Sequence, residues 1–79
     1  MLNSLAAYNV TMDTRSRSIG DKVRELRKSR QWTQNKLSEE AGVTEQTVYN
    51  LENGRHVPDT STLLKIADGL GVSLADLLG

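Results

Sequence analysis

The sequence predicts an all-α fold: a compact domain of five short helices in which helices 2 and 3 form a helix-turn-helix. Aromatic residues make up only 4% of the 79 residues, so leucine, isoleucine, valine and alanine must supply the core. These apolar residues recur three or four positions apart, which is the spacing of one helix face. Thr, Asp and Ser at helix starts, with Gly at helix ends, divide the chain into five helical segments.

The two central helices are predicted from their caps. Thr33 and Thr44 are expected N-caps, because a hydroxyl at that position accepts from an unpaired backbone N–H. Gly42 ends the first of the two helices, since glycine adopts the left-handed conformation without steric cost. In the second, Val48 and Leu51 face inward and polar side chains face outward. A glycine turn between two such helices is typical of a helix-turn-helix, whose second helix enters the DNA major groove.

The first helix and the N-terminal segment are predicted from the residues before Thr33. Residues 1–17 show no clean periodicity and are expected to form a flexible tail, so that the domain comprises residues 18–79. Ser18 and Asp21 fit a capping box for a helix that reaches about Arg30. Lys22, Arg24 and Lys28 on this helix are interpreted as part of a solvated face.

The last two helices complete the predicted core. Asp59 caps the fourth, and Ser73 with Asp76 forms a capping box for the fifth. The apolar face of the fourth helix consists of Leu63, Leu64, Ile66, Ala67 and Leu70. The fifth is short and very apolar, so part of its surface is a candidate dimer seam; its leucines are Leu74, Leu77 and Leu78.

Composition and charge limit the function classes. The net charge is zero, but Arg15 to Lys36 holds eight Lys or Arg against two acids, a net +6, whereas residues 37–79 hold two against seven, a net −5. Such a dipolar domain can orient on a polyanion. The chain has no Cys, and its lone histidine, His56, has no second ligand candidate. No catalytic residue, metal or cofactor is therefore expected, and an enzyme is the poorest interpretation. With neither a signal peptide nor a membrane span predicted, the expected location is the cytoplasm.

Several motifs in a fixed order resemble a known family. The segment Trp32-Thr33-Gln34 through Leu51-Glu52-Asn53-Gly54 is followed by Pro58 and then LLKIADGLGVSLADLL. This series, from about Ile19 to Leu78, resembles the Cro and phage-repressor type of helix-turn-helix, the lambda-repressor-like fold. The resemblance implies that Arg27 pairs with Glu52, joining the first helix to the third near the DNA backbone.

The resemblance also implies which side chains contact double-stranded DNA. Its base-contacting positions fall on Glu45, Gln46 and Asn50, and amides at such positions pair bidentately with adenine. Glu45 departs from the pattern, since a carboxylate accepts from cytosine but repels phosphates. The expected phosphate contacts are Gln34, Thr44, Thr47, Tyr49, Asn53 and Arg55.

These features together predict a sequence-specific DNA-binding transcriptional regulator. A domain this small makes few contacts, so we expect a homodimer on a palindromic operator, acting as a repressor. The alternative is an antitoxin or other protein-interaction module whose main partner is another protein. Zero net charge and the apolar last helix favour that alternative. The salt dependence of binding distinguishes the two functions, because affinity through phosphate contacts falls steeply as the salt concentration rises and affinity through an apolar protein contact does not.

Overall fold

The computed structural model describes residues 19–79, which form five α-helices and no strand. Helix α1 occupies residues 19–29. It is followed by α2 (Gln34–Ala41), α3 (Glu45–Glu52), α4 (Thr60–Leu70) and α5 (Leu74–Leu78). The predicted all-α, five-helix architecture is confirmed. The predicted tail at residues 1–17 and the cap at Ser18 lie outside the described residues. Within the described part, none of the helices combines the length and apolar character needed to cross a membrane.

Four side-chain caps set the helix starts where the sequence predicts them. Each cap residue has extended backbone angles, and its oxygen accepts from the backbone N–H three residues later. The caps are Thr33, Thr44, Asp59 and Ser73. Gly42 (φ 72°) and Gly71 (φ 74°) end α2 and α4 in the left-handed region that favours glycine. Local chemistry therefore fixes the boundaries before any tertiary packing is considered.

The core is a single cluster of aliphatic side chains from all five helices. Helix α2 packs against both α3 and α4, and α5 closes the end of α4. The buried members are Ile19, Val23, Leu37, Ala41, Val48, Leu51, Leu63, Ile66, Ala67, Leu70 and Leu77. The prediction that Leu64 belongs to the apolar face of α4 is wrong, however, because its side chain points outward and is 51% exposed. Leu64 follows Leu63 by one position, about 100° around the helix, and so falls on the solvent side.

Two glycines inside helices allow close approach between backbones. A Cβ placed on Gly20 of α1 would overlap the carbonyl oxygen of Leu51 in α3. A Cβ on Gly69 of α4 would lie 2.8 Å from the Cα of Ala41 in α2. Glycine weakens a helix interior in isolation, but here it permits the contacts that hold α1 on α3 and α4 on α2.

We expect Gly20→Ala to lower the free energy of unfolding by at least about 1–3 kcal/mol, the usual cost of overpacking a core. The reason is that the new methyl group would meet backbone atoms, which cannot rotate away. Gly71→Ala is the matched control. Nothing lies within 4 Å of its added Cβ, and only the left-handed backbone strain of roughly 1–2 kcal/mol applies. Urea unfolding of both variants measures the difference, and a smaller loss for Gly20→Ala would contradict the close approach.

Candidate DNA interface

Helix α3 has a polar ridge on its outer side, formed by Glu45, Gln46 and Asn50, and its opposite side packs into the core. Val48 and Leu51 are fully buried in the core, and the Thr44 hydroxyl caps the helix at its start. On the opposite side Glu45 and Gln46 are exposed to solvent. The buried side leaves α3 little freedom to rotate, so the polar side chains are held in a defined direction.

Two of the predicted base-contacting residues are bonded to each other. Gln46 Nε2 donates to Asn50 Oδ1 at 3.0 Å, one helical turn apart. Gln46 is exposed and Asn50 is half-buried. After this bond Gln46 keeps its carbonyl oxygen and one N–H, and Asn50 keeps both N–H groups. The pair therefore has both acceptors and donors left for the edge of a base.

Glu52, at the last position of α3, is the centre of a buried polar cluster. Its side chain is completely buried. Arg27 of α1 donates to both carboxylate oxygens, from Nε at 2.7 Å and from Nη2 at 2.9 Å. The remaining Arg27 nitrogen, Nη1, donates to the Trp32 carbonyl at 2.7 Å. A bidentate pair of this kind fixes both position and orientation, so α1 and α3 are joined at one point.

Helix α2 also contacts the cluster, through Gln34. Its Nε2 donates to Glu52 Oε1 at 3.1 Å. Burial alone raises the pKa of Glu52, but the hydrogen bonds from Arg27 and Gln34 and the charges of Arg27 and Arg24 outweigh it, and the net pKa is lowered. Glu52 therefore remains ionised at neutral pH. Gln34 also lines a groove of about 280 Å³ with Glu45, Gln46 and Tyr49, beside the polar ridge.

Arg24 has a contact that the sequence did not predict. Its side chain is partly exposed, as expected for a solvated face, but Nη2 also donates to the Glu52 backbone carbonyl at 2.6 Å. Its Nε lies 3.6 Å from Glu52 Oε1. Helix α3 has no basic residue in its last turn, and Arg24 supplies that positive charge from α1. A cation is favourable at the C-terminus of a helix. The i, i+3 spacing of Arg24 and Arg27 is the signal that could have placed both on Glu52.

The predicted phosphate-contacting residues surround the ridge. The Arg55 guanidinium lies 5.8 Å from the centre of the Tyr49 ring, and Asn53 Nδ2 donates to the Tyr49 carbonyl at 2.8 Å. Thr44 and Thr47 share a hydroxyl–hydroxyl bond of 2.8 Å at the start of α3. These side chains thus lie at both ends of the helix, while Gln34 lies beside it.

Arg30 and Trp32 lie in the connection between α1 and α2. Arg30 donates from Nη2 to the Leu70 carbonyl at the end of α4 and from Nη1 to the Leu26 carbonyl. Trp32 is half-buried against the core, and its ring centre is about 6 Å from the cationic groups of Arg30 and Lys36. The sequence did not reveal the Arg30 contact, since its acceptor is a backbone carbonyl 40 residues away.

Among residues 19–79, no group of three or more His, Asp or Glu side chains is placed to hold a metal ion. The described residues instead form a capped helix, α3, whose inner side is buried in the core and whose polar first turn lines a groove. The geometry defines the class of DNA-binding proteins with a helix-turn-helix, in which the second helix reads the duplex.

Comparison with known proteins gives the family. The model of the helix-turn-helix family HTH_3 matches residues 23–77, and the chain belongs to this family. The predicted resemblance to Cro and phage-repressor proteins is confirmed.

The relatives are regulators. The chain is 40% identical over 57 residues to the uncharacterized HTH-type transcriptional regulator YgzD of Bacillus subtilis, covering 72% of this chain and 86% of that protein. It is 31% identical over 62 residues to the immunity repressor protein of Bacillus phage phi105, covering 78% of this chain. The match spans only 43% of the phage protein. At this level of detail the prediction of a DNA-binding transcriptional regulator, and not an enzyme, is confirmed.

Solved structures share the fold. An HTH_3 family transcriptional regulator from Vibrio cholerae superimposes with a TM-score of 0.78 at 29% identity, covering 84% of this chain and 37% of that one. The restriction-modification controller protein C.AhdI from Aeromonas hydrophila superimposes with a TM-score of 0.75 at 26% identity, covering 78% and 94%. The fold prediction is confirmed by these neighbours.

Proposed function

We propose that the protein is a repressor that binds a palindromic operator as a homodimer, with α3 in the major groove. The observation that carries this proposal is the exposed ridge of α3, whose amides at Gln46 and Asn50 are mutually bonded at 3.0 Å and still have unused donors and acceptors. Amides with this capacity suit adenine, which offers an acceptor and a donor in the major groove. Glu45, exposed in the first turn, would accept from cytosine N4.

The proposed phosphate contacts place this ridge on the duplex. Arg55 supplies a formal charge next to the Tyr49 ring, and Gln34 stands at the N-terminus of α2, where unpaired N–H groups attract phosphate. Contacts of this kind set register and orientation without reading sequence. The other members of the set are Thr44, Thr47 and Asn53.

The dimer is supported by the apolar surface left exposed on the last two helices. Leu64 of α4 is 51% exposed and Leu78 of α5 is 59% exposed. Each of two subunits would then reach one half-site, with half-site centres about 34 Å apart, one turn of the duplex. Two linked half-sites also give the affinity that one small domain lacks.

The same leucines favour the second candidate function, a protein-interaction module of the antitoxin kind. In that case an apolar face of another protein would cover Leu64 or Leu78. Binding of this type depends little on salt, whereas binding to phosphates weakens as salt rises. The two functions therefore predict different salt responses: a steep loss of affinity for DNA binding and little change for an apolar protein contact.

Selection of bound sites from random duplex DNA tests the proposal. We expect a palindromic consensus with two half-sites one helical turn apart, and a logarithm of the affinity that falls linearly with the logarithm of the salt concentration. The sedimentation coefficient of the complex gives the number of subunits. Recovery of no consensus, or of an asymmetric site bound by one subunit, would contradict the proposed dimeric operator binding.

A further inference from the structure

The arginines of α1 differ in how many of their donors the fold uses. All three nitrogens of Arg27 are bonded, to Glu52 and to the Trp32 carbonyl, and its side chain is only 10% exposed. Arg24 makes one hydrogen bond within the described residues, from Nη2 to the Glu52 carbonyl. Its side chain is 39% exposed. A guanidinium has five N–H donors, so most of those on Arg24 remain available.

The Arg24 guanidinium and the Gln34 side chain approach the same atom near the C-terminal end of α3. Both groups converge on Glu52 Oε1, Gln34 Nε2 at 3.1 Å and Arg24 Nε at 3.6 Å. Gln34 in turn lines the groove beside the ridge, together with Gln46 and Tyr49. Arg24 does not line the groove itself but lies at the C-terminal end of α3, where its Nη2 donates to the Glu52 carbonyl.

The charge of the Glu52 cluster is not balanced. Arg24 and Arg27 carry two positive charges against the single carboxylate of Glu52, which leaves a net +1. Because Arg27 and Glu52 are buried and paired with each other, the uncompensated charge resides on the exposed Arg24. The hydrogen bond to the Glu52 carbonyl also holds the side chain, so that little rotamer freedom is left to lose on binding.

We propose that Arg24 is a DNA-contacting residue that donates its outer N–H groups to a phosphate of the duplex backbone. The proposal rests on the proposed placement of α3 in the major groove and adds a contact from α1. Guanidinium groups match phosphate geometry by two parallel hydrogen bonds. The contact would position the C-terminal end of α3 against the backbone and carry no sequence information.

The salt dependence of DNA affinity tests this contact. Each phosphate contact adds about 0.9 to the slope of log affinity against log salt. We expect Arg24→Gln to reduce the slope by about 0.9 for each bound subunit, or about 1.8 for the dimer, equally for the selected operator and for random duplex. At 0.1 M salt this corresponds to binding that is weaker by about eightfold per subunit, or roughly 60-fold for the dimer. Arg24→Lys, which keeps the charge, should retain the slope.

Lys22→Gln is the matched control. Lys22 lies on the same helix but lines a groove with Leu77 and Leu78 of α5, two positions and about 200° from Arg24 around the helix. This variant removes an equal charge and should leave the slope unchanged. Circular dichroism and urea unfolding establish that each variant is folded at the assay temperature.

The outcomes separate this contact from the proposed function. Wild-type binding with a steep slope that Arg24→Gln leaves unchanged would overturn the contact and spare the function. A loss confined to the operator, with an unchanged slope, would show that Arg24 only positions α3 and would also overturn it. A wild-type protein that binds no duplex would overturn both.

Discussion

Glu52→Gln is expected to lower the free energy of unfolding by about 3–5 kcal/mol, the typical cost of removing one partner from a buried ion pair. The substitution preserves shape but leaves the Arg27 guanidinium, which is buried and makes two hydrogen bonds to the carboxylate, without a counter-charge. Small domains have total stabilities of roughly 5–15 kcal/mol. A loss of this size is therefore large enough to populate the unfolded state, and urea unfolding measures it.

Glu40→Gln is the control for this substitution. Glu40 also pairs with a cation, Lys36 Nζ at 3.0 Å, but both side chains are more than 40% exposed. An exposed pair contributes about 0–1 kcal/mol. Equal losses for Glu40→Gln and Glu52→Gln would mean that the Glu52 cluster stabilises the fold no more than a surface contact does.

The pH dependence of stability gives an independent check on Glu52. Its pKa is below the ordinary value of 4.5, so its stabilisation is fully present above pH 4.5 and is lost as the pH falls through the lower folded-state value. The pKa values of the helix caps Asp59 and Asp76 are also lowered, by backbone and side-chain hydrogen bonds from Thr62 and Ser73 respectively. Stability should therefore decline below pH 4.5 in the wild type and decline less steeply in Glu52→Gln.

Gln46→Ala and Asn50→Ala are each expected to reduce discrimination between the operator and random duplex by about 1–3 kcal/mol, or roughly 5- to 160-fold, for each half-site. Each removes an amide that would pair with a base edge. Because the two amides are bonded to each other, losing one also frees the other, and the double variant should lose less than the sum of the two. Competition binding with both DNAs measures the ratio.

Asn35→Ala provides the matched control for the amide substitutions. Asn35 is an exposed amide on α2, bonded to Glu39 Oε2 one turn later at 3.4 Å, and it lies outside the ridge. Its removal should leave the discrimination ratio unchanged. Retained affinity with unchanged preference in Gln46→Ala and Asn50→Ala would remove these two residues from the set of readers.

The sequence was sufficient for features that depend on local chemistry. Caps such as Thr44 and Asp59 act within four residues of themselves, and the left-handed turn at Gly42 requires only the absence of a Cβ. The positions of these residues therefore predicted the helix boundaries and, through them, which α3 side chains face outward. The family resemblance further supplied the pairing of Arg27 with Glu52.

Contacts between distant backbones could not be predicted in the same way. The sequence analysis assigned no role to Gly20 or Gly69, and only the structure shows the carbonyl of Leu51 and the backbone of Ala41 against them. The contacts of Arg24 and Arg30 were not predicted, because their partners are main-chain carbonyls that no side-chain pattern reveals. Leu64 reads as core because spacing alone does not fix where an apolar stripe ends.

The convergence of three helices on one carboxylate has a consequence for how an operator would be chosen. Residues from α1, α2 and α3 meet at Glu52. We therefore expect that α3 does not change its orientation relative to α1 and α2 when the DNA sequence fits poorly. Any adjustment must come from the DNA, whose stiffness varies with base sequence. Base pairs between the half-sites, untouched by the protein, would then influence affinity through the ease with which they bend or twist.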